Sequence, residues 1–274
     1  MKNLLLLAVS LLLAACTNIS PLERAKHMDE LAAAGHWQKL RLPAGDFVLT
    51  AYVPSQAVTA KVLTVYFEGD GFAWLTPSTP SDDPTPRTPV GLELALHHPQ
   101  AAAYLARPCQ RVAASDWGRC QEDYWTNSRY APEVIAASDQ AVSALKARFG
   151  AGKLMLVGYS GGAAVAALVA ARRDDVIRFV SVAGNLDIRA WTTMHHIPPL
   201  TGSLNPADEW ARLQQIPQLH FVGGKDEVIT REVVGAYIDR FPPGRRPPLR
   251  VLPDFDHSCC WAEDWPNLVH EAFP

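Results

Sequence analysis

A chain of 274 residues is long enough to bury one full core, and single α/β domains of roughly 200–250 residues are ordinary, so one folded domain is expected and no second is required. Its hydrophobic content of 48%, charged content of 19% and formal net charge of -3 describe a globular protein without a basic stripe or an acidic tail, which argues against nucleic-acid partners. There is no internal repeat or heptad, so solenoid and coiled-coil architectures fall away.

The N-terminus stands apart. Met1-Lys2-Asn3 gives a short positive start, and residues 4–15 are almost wholly apolar before Cys16, the pattern of an export signal. The run is shorter than the roughly 20 residues a membrane-spanning helix needs, so it reads as a cleaved segment. Leu13-Ala14-Ala15-Cys16 resembles a bacterial lipobox, in which the cysteine is acylated and becomes the new N-terminus; ordinary cleavage after Ala15 is the alternative. Acylation at Cys16 would hold the protein on a membrane by lipid chains, with a short tether beginning at Thr17. Thr17, in place of an aspartate, implies by the same resemblance delivery to the outer membrane, facing the periplasm.

Four further cysteines remain, Cys109, Cys120, Cys259 and Cys260, an even number for an oxidising compartment and compatible with three connectivities. Cys109 with Cys120 is favoured because the two flank a short loop. Cys259 and Cys260 are adjacent and would pair only through a distorted peptide, so their state stays open.

In chain order, residues 36–42 and 46–53 predict two strands joined at Pro43-Ala44-Gly45. Residues 61–68 (KVLTVYFE) are a β-branched apolar run of the kind buried in a parallel sheet, ending at Gly69-Asp70-Gly71. The stretch 76–89 is dense in Pro, Ser, Thr and Asp and predicts an irregular surface excursion. Beyond it, helix and strand alternate. Helices are expected at 90–98, 132–149, 163–172 and 232–240, and strands at 101–106, 153–158, 176–183, 217–222 and 249–253. Strands separated by helices imply right-handed crossovers and a mainly parallel sheet of eight strands, covered on both faces, with an antiparallel start.

Chemistry concentrates at the strand ends. Gly158-Tyr159-Ser160-Gly161-Gly162 fits G-x-S-x-G between the strand KLMLVG and the helix AAVAALVAARR, a tight turn that exposes the serine hydroxyl and aims the N–H of Gly161 at a developing oxyanion. The loop Glu68-Gly69-Asp70-Gly71 occupies the place of the second oxyanion donor, with the N–H of Asp70 or Gly71 as candidates. The carboxylate of Asp70 would oppose an oxyanion and must therefore point away or be paired. A serine needs a base, and the base an orienting acid. After the strand PQLHFV, the turn Gly223-Gly224 presents Asp226, preferred over Glu227 and Asp187; after LRVLP comes His257, the candidate base. His270, in an expected terminal helix, faces solvent. His195 and His196, with Trp191, either line a substrate pocket or pack. Trp125 and Arg129, in the aromatic loop 123–130, and Tyr159 complete the candidate pocket, although an arginine among aromatics is more often a stacked structural residue.

The order Ser160, Asp226, His257, with the elbow and the loop at 68–71, resembles the α/β-hydrolase superfamily from about Trp37 onward. The segments LARPCQ, YWTNSRYAPEVI, AGNLDIRAWT and DHSCCW are similar to a group of exported bacterial serine hydrolases of lipoprotein type. The resemblance implies an α/β-hydrolase fold with a small cap insertion at 187–209, divided as signal peptide 1–15, lipidated N-terminus and tether 16–35, and hydrolase domain 36–274. It implies acyl transfer to water with a small-molecule ester as substrate, short-chain by the modest size of the cap. Neither metal nor organic cofactor is needed for that reaction, and the sequence holds no HExxH and no zinc-like cysteine cluster. A peptidase or acyltransferase with the same triad, or a membrane-anchored binding protein without turnover, are the alternatives. The oligomeric state is not legible.

Overall fold

The computed structural model describes residues 20–273; the expected signal peptide and the candidate acylation site Cys16 lie outside the described residues. The first described element is the helix α1, Pro21–Ala34. Ser20 caps it: its Oγ accepts from the N–H of Glu23 at 3.2 Å while Glu23 Oε2 accepts from the N–H of Ser20 at 2.8 Å. Ala25, Met28 and Ala32 recur at helical spacing and are buried, Met28 and Ala32 within the core on one face of the sheet. The tether expected over 16–35 is therefore corrected from Ser20 onward, where a capping box and an apolar stripe make a helix that belongs to the folded body.

Eight strands form one sheet: β1 (Trp37–Ala44), β2 (Phe47–Pro54), β3 (Val62–Phe67), β4 (Ala102–Leu105), β5 (Lys153–Tyr159), β6 (Val176–Val182), β7 (Gln218–Gly223) and β8 (Leu249–Leu252), in the order β1-β2-β4-β3-β5-β6-β7-β8. β2 runs antiparallel to β1 and β4, and every other neighbouring pair is parallel. The hairpin turns at Gly45-Asp46, one residue later than expected, because Ala44 already pairs with Phe47; Pro43 sits in the edge strand, where its missing N–H costs no ladder bond.

The crossovers are α2 (Val90–Leu96), α3 (Pro132–Arg148), α4 (Gly161–Ala170), α5 (Ile188–Met194), α6 (Trp210–Leu213), α7 (Arg231–Ile238) and the closing helix α8 (Trp261–Ala272). α3 and α4 cover one face; α1, α2 and α8 cover the other. α4 is buried along its whole length, which fits its run of mostly Gly, Ala and Val with a single Leu168: small side chains let it lie close to the sheet and α3. The stretch at 76–89 is mostly irregular, as expected, yet it holds one short strand pair, Trp74–Thr76 with Thr79–Pro80, that its composition did not announce. The insertion at 187–209 is small: α5, a Pro-rich loop and one 3-10 turn at Pro206–Glu209. Cys109 and Cys120 are bridged, with Cα atoms 5.5 Å apart. Cys259 and Cys260 pair with each other, and Cys260 takes a left-handed φ of 80° at the start of α8.

Candidate functional site

Parallel strands deliver their C-terminal ends to one edge of the sheet, and the candidate residues gather there. Ser160 follows β5 at φ 50° and ψ -124°, a strained conformation for a residue with a side chain, fixed by the N–H of Ser160 on Val182 O at 3.0 Å and by Ser160 O accepting from Asn185 at 3.0 Å. Asp226 follows β7, and its Oδ1 accepts the N–H groups of Val228 and Ile229, each at 2.8 Å. His257 follows β8. Its Nε2 lies 3.0 Å from Ser160 Oγ and its Nδ1 2.9 Å from Asp226 Oδ2, so the serine, the imidazole and the carboxylate form one continuous hydrogen-bonded array. The imidazole is partly open to solvent, whereas the Asp226 side chain is fully buried.

The rival acids are placed elsewhere. Asp187 caps α5 through the N–H of Ala190 and is bound by Asn205 and Arg240, while Glu227 is exposed. His270 is exposed on α8.

The loop after β3 approaches the serine so closely that a Cβ on Gly161 would fall 2.0 Å from Asp70 Oδ1, and one on Gly71, at φ 67°, would fall 2.1 Å from Pro84 O. Among the described residues, the N–H groups of Asp70, Gly71 and Gly161 have no acceptor. The carboxylate of Asp70 is paired in a cage formed by Arg107 Nη1 at 2.9 Å, Arg129 Nη1 at 2.7 Å and the Tyr130 hydroxyl at 3.1 Å. Burial alone would raise its pKa, but Arg129 and Arg107 outweigh that and hold the carboxyl below the usual carboxylate range. Sequence reasoning required such pairing without identifying Arg107. Glu68, beside it, is buried and accepts from the N–H groups of Gly69 at 3.0 Å and Gly91 at 3.1 Å, while its Oε2 has no partner. Burial pushes its carboxyl up to about 7 despite those bonds.

A cavity of about 400 Å³ opens over Ser160 and His257, between the loop after β3, Arg129, Asn185, Trp191 and Val228. Tyr159 lines it and donates from its hydroxyl to His257 O at 2.9 Å, so it holds the imidazole loop as well as the wall. Arg129 also lines it, but its guanidinium is committed to Asp70 and to Thr126 O. Two candidates are corrected. Trp125 lies outside this cavity, buried in the core with Nε1 on Ser81 O, because a flat indole with its one donor satisfied there is worth more as packing. His196 is exposed on a turn at φ 54° and lines neither this cavity nor its neighbour. His195 lies at the rim, its Nε2 on Val228 O at 2.8 Å. Asn185 was missed: it is buried, lines the cavity, and its Oδ1 has no partner. Among the described residues no group of three or more His, Cys, Asp or Glu is placed to hold a metal ion, and no helix is long and apolar enough to cross a membrane.

No family model and no curated protein matches the sequence. The fold is that of the α/β serine hydrolases. An esterase of Pyrococcus furiosus superposes with a TM-score of 0.59 at 14% identity, over 89% of this chain and 91% of its own. A member of the α/β serine hydrolases without a lid, from Xanthomonas campestris, gives 0.56 at 15% identity, over 86% and 93%. An alpha-beta serine hydrolase homologue from Coxiella burnetii gives 0.54 at 16% identity, over 86% and 95%.

Proposed function

We propose that this chain is a serine hydrolase, a carboxylesterase that works through an acyl-enzyme on Ser160. His257 Nε2 takes the proton from Ser160 Oγ as the oxygen attacks the ester carbonyl, and Asp226 Oδ2 keeps the imidazole in the tautomer that can accept it. The tetrahedral oxyanion is met by the N–H of Gly161 and that of Asp70 or Gly71, and the protonated His257 then gives its proton to the departing alcohol. Water, deprotonated by the same imidazole, releases the acid and restores Ser160. The observation that carries this reading is the Ser160-His257-Asp226 array beside three N–H groups that have no acceptor. The neighbours that are esterases and serine hydrolases share the fold and support it. With acylation of Cys16, the enzyme would work as a lipoprotein on the periplasmic side of the outer membrane.

The test is hydrolysis of p-nitrophenyl acetate and butyrate by the purified protein beside Ser160→Ala and His257→Ala. Each substitution is expected to lower kcat by about 10⁴-fold or more. A parent protein that neither turns over these esters nor takes up a fluorophosphonate at Ser160 would refute the reading.

A further inference from the structure

Next to the catalytic cavity lies a second one, of about 800 Å³. Trp74, Arg129, Trp191 and Val228 line both, so the two adjoin along these side chains. One wall of the second is the strand pair that begins at Trp74, with Leu75; the other is the Pro-rich loop after α5, with Ile197 and Leu200.

Two observations fix the chemistry of what it takes. The first is exposure. Seven large hydrophobic side chains stand open to solvent among the described residues, and four of them, Trp74, Leu75, Ile197 and Val228, meet at this one place. Exposed apolar side chains scattered singly are ordinary, but a cluster that adjoins a catalytic cavity marks a binding surface. The second is the state of the polar groups. Trp191 Nε1 donates to Val228 O at 3.1 Å, and His195 Nε2 lies 2.8 Å from the same oxygen. The guanidinium of Arg129 is held by Asp70 and Thr126 O. Thr126 Oγ1 donates to Glu122 O, and Asn127 Oδ1 accepts from Thr201 and Gly202. Most of the hydrogen-bonding capacity of these groups is thus used inside the protein, which leaves a mainly apolar surface that water wets poorly.

We propose that the substrate is an ester with a long unbranched hydrocarbon chain, and that this chain lies in the second cavity while the carbonyl meets Ser160. The inference rests on the esterase reading and replaces the short-chain preference that the small cap suggested. The chain leaves either with the acid or with the alcohol.

Two series separate those cases: p-nitrophenyl esters from acetate to octanoate lengthen the acyl side, and acetates of straight-chain alcohols lengthen the other. Each is measured below the concentration at which the ester aggregates. In one series kcat/KM is expected to rise by up to roughly fourfold per methylene buried, and by roughly a hundredfold or more overall. Leu75→Asp and Ile197→Asp, substitutions at exposed positions on opposite walls, are expected to cut the octanoate-to-acetate ratio, or its counterpart among the alcohols, by roughly tenfold each. If acetate is hydrolysed and both series are flat, the esterase reading stands and this inference fails. It fails equally if the rise comes only above the aggregation point, which would make the apolar rim a contact for a lipid surface. No hydrolysis of any ester would refute both.

Discussion

Glutamine at position 68 would isolate the effect of a single buried proton. In the parent, burial raises the Glu68 carboxyl from its ordinary value of 4.5 to about 7, so between those pH values the folded protein keeps a proton that the unfolded chain has released. Stability from this group is complete below about pH 4.5, falls as pH rises, and has been lost by the time pH passes about 7. At about 1.36 kcal/mol for each tenfold change in proton activity, the interval amounts to about 3 kcal/mol. Glutamine mimics the protonated form: its Oε1 can still accept from Gly69 and Gly91, and it does not titrate. Its Nε2 takes the place of Oε2 beside the Tyr104 hydroxyl, and any change in pairing there is the same at every pH and cancels when two pH values are compared. Denaturant unfolding of the parent and Glu68→Gln at half-unit steps from pH 4.5 to 8 is the assay. The variant should gain about 3 kcal/mol on the parent across that range. A difference that does not change with pH would refute the argument.

Asp70→Asn leaves the buried guanidinium groups of Arg107 and Arg129 without their counter-charge. It should cost about 3–5 kcal/mol, or roughly 10 °C in a thermal scan, and a fall of only a degree or two would show that the cage contributes little. Cys120→Ser opens the bridge to Cys109, which spans 11 residues of sequence, and should cost about 2–4 kcal/mol in unfolding under non-reducing conditions; an unchanged midpoint would contradict this.

The sheet was legible because its signals are local. A β-branched run such as 61–68 and the wholly apolar, mostly small helix after Ser160 each carry their burial in their own composition, and the order of strands then brings Ser160, Asp226 and His257 to one edge. What escaped was set by distance along the chain. Asp70 finds Arg107 and Arg129 across 37 and 59 residues, and nothing in either segment names the other. Trp125 sits in the same aromatic loop as Arg129, yet one side chain faces the core and the other the cavity, a choice made by the partners Ser81 and Asp70. The apolar cavity escaped for the same reason: Leu75 and Ile197 look like stray surface residues until the fold sets them opposite one another. α1 is different, because its capping box and apolar spacing were both present in the sequence and were absorbed into the expected tether.

The cage around Asp70 braces the loop after β3 through Arg107, Arg129 and Tyr130. The machinery is thus held like a lens in its barrel, and the front rim bears on it at Val228, whose N–H holds Asp226 and whose carbonyl takes Trp191 and His195. The segments at 74–80 and 197–200 make none of those bonds, so descendants of this scaffold can drift in what they accept there while conserving Ser160, His257 and Asp226. For the same reason, an engineer seeking a new preference would shuffle those two segments and leave Asp70, Arg107 and Arg129 alone.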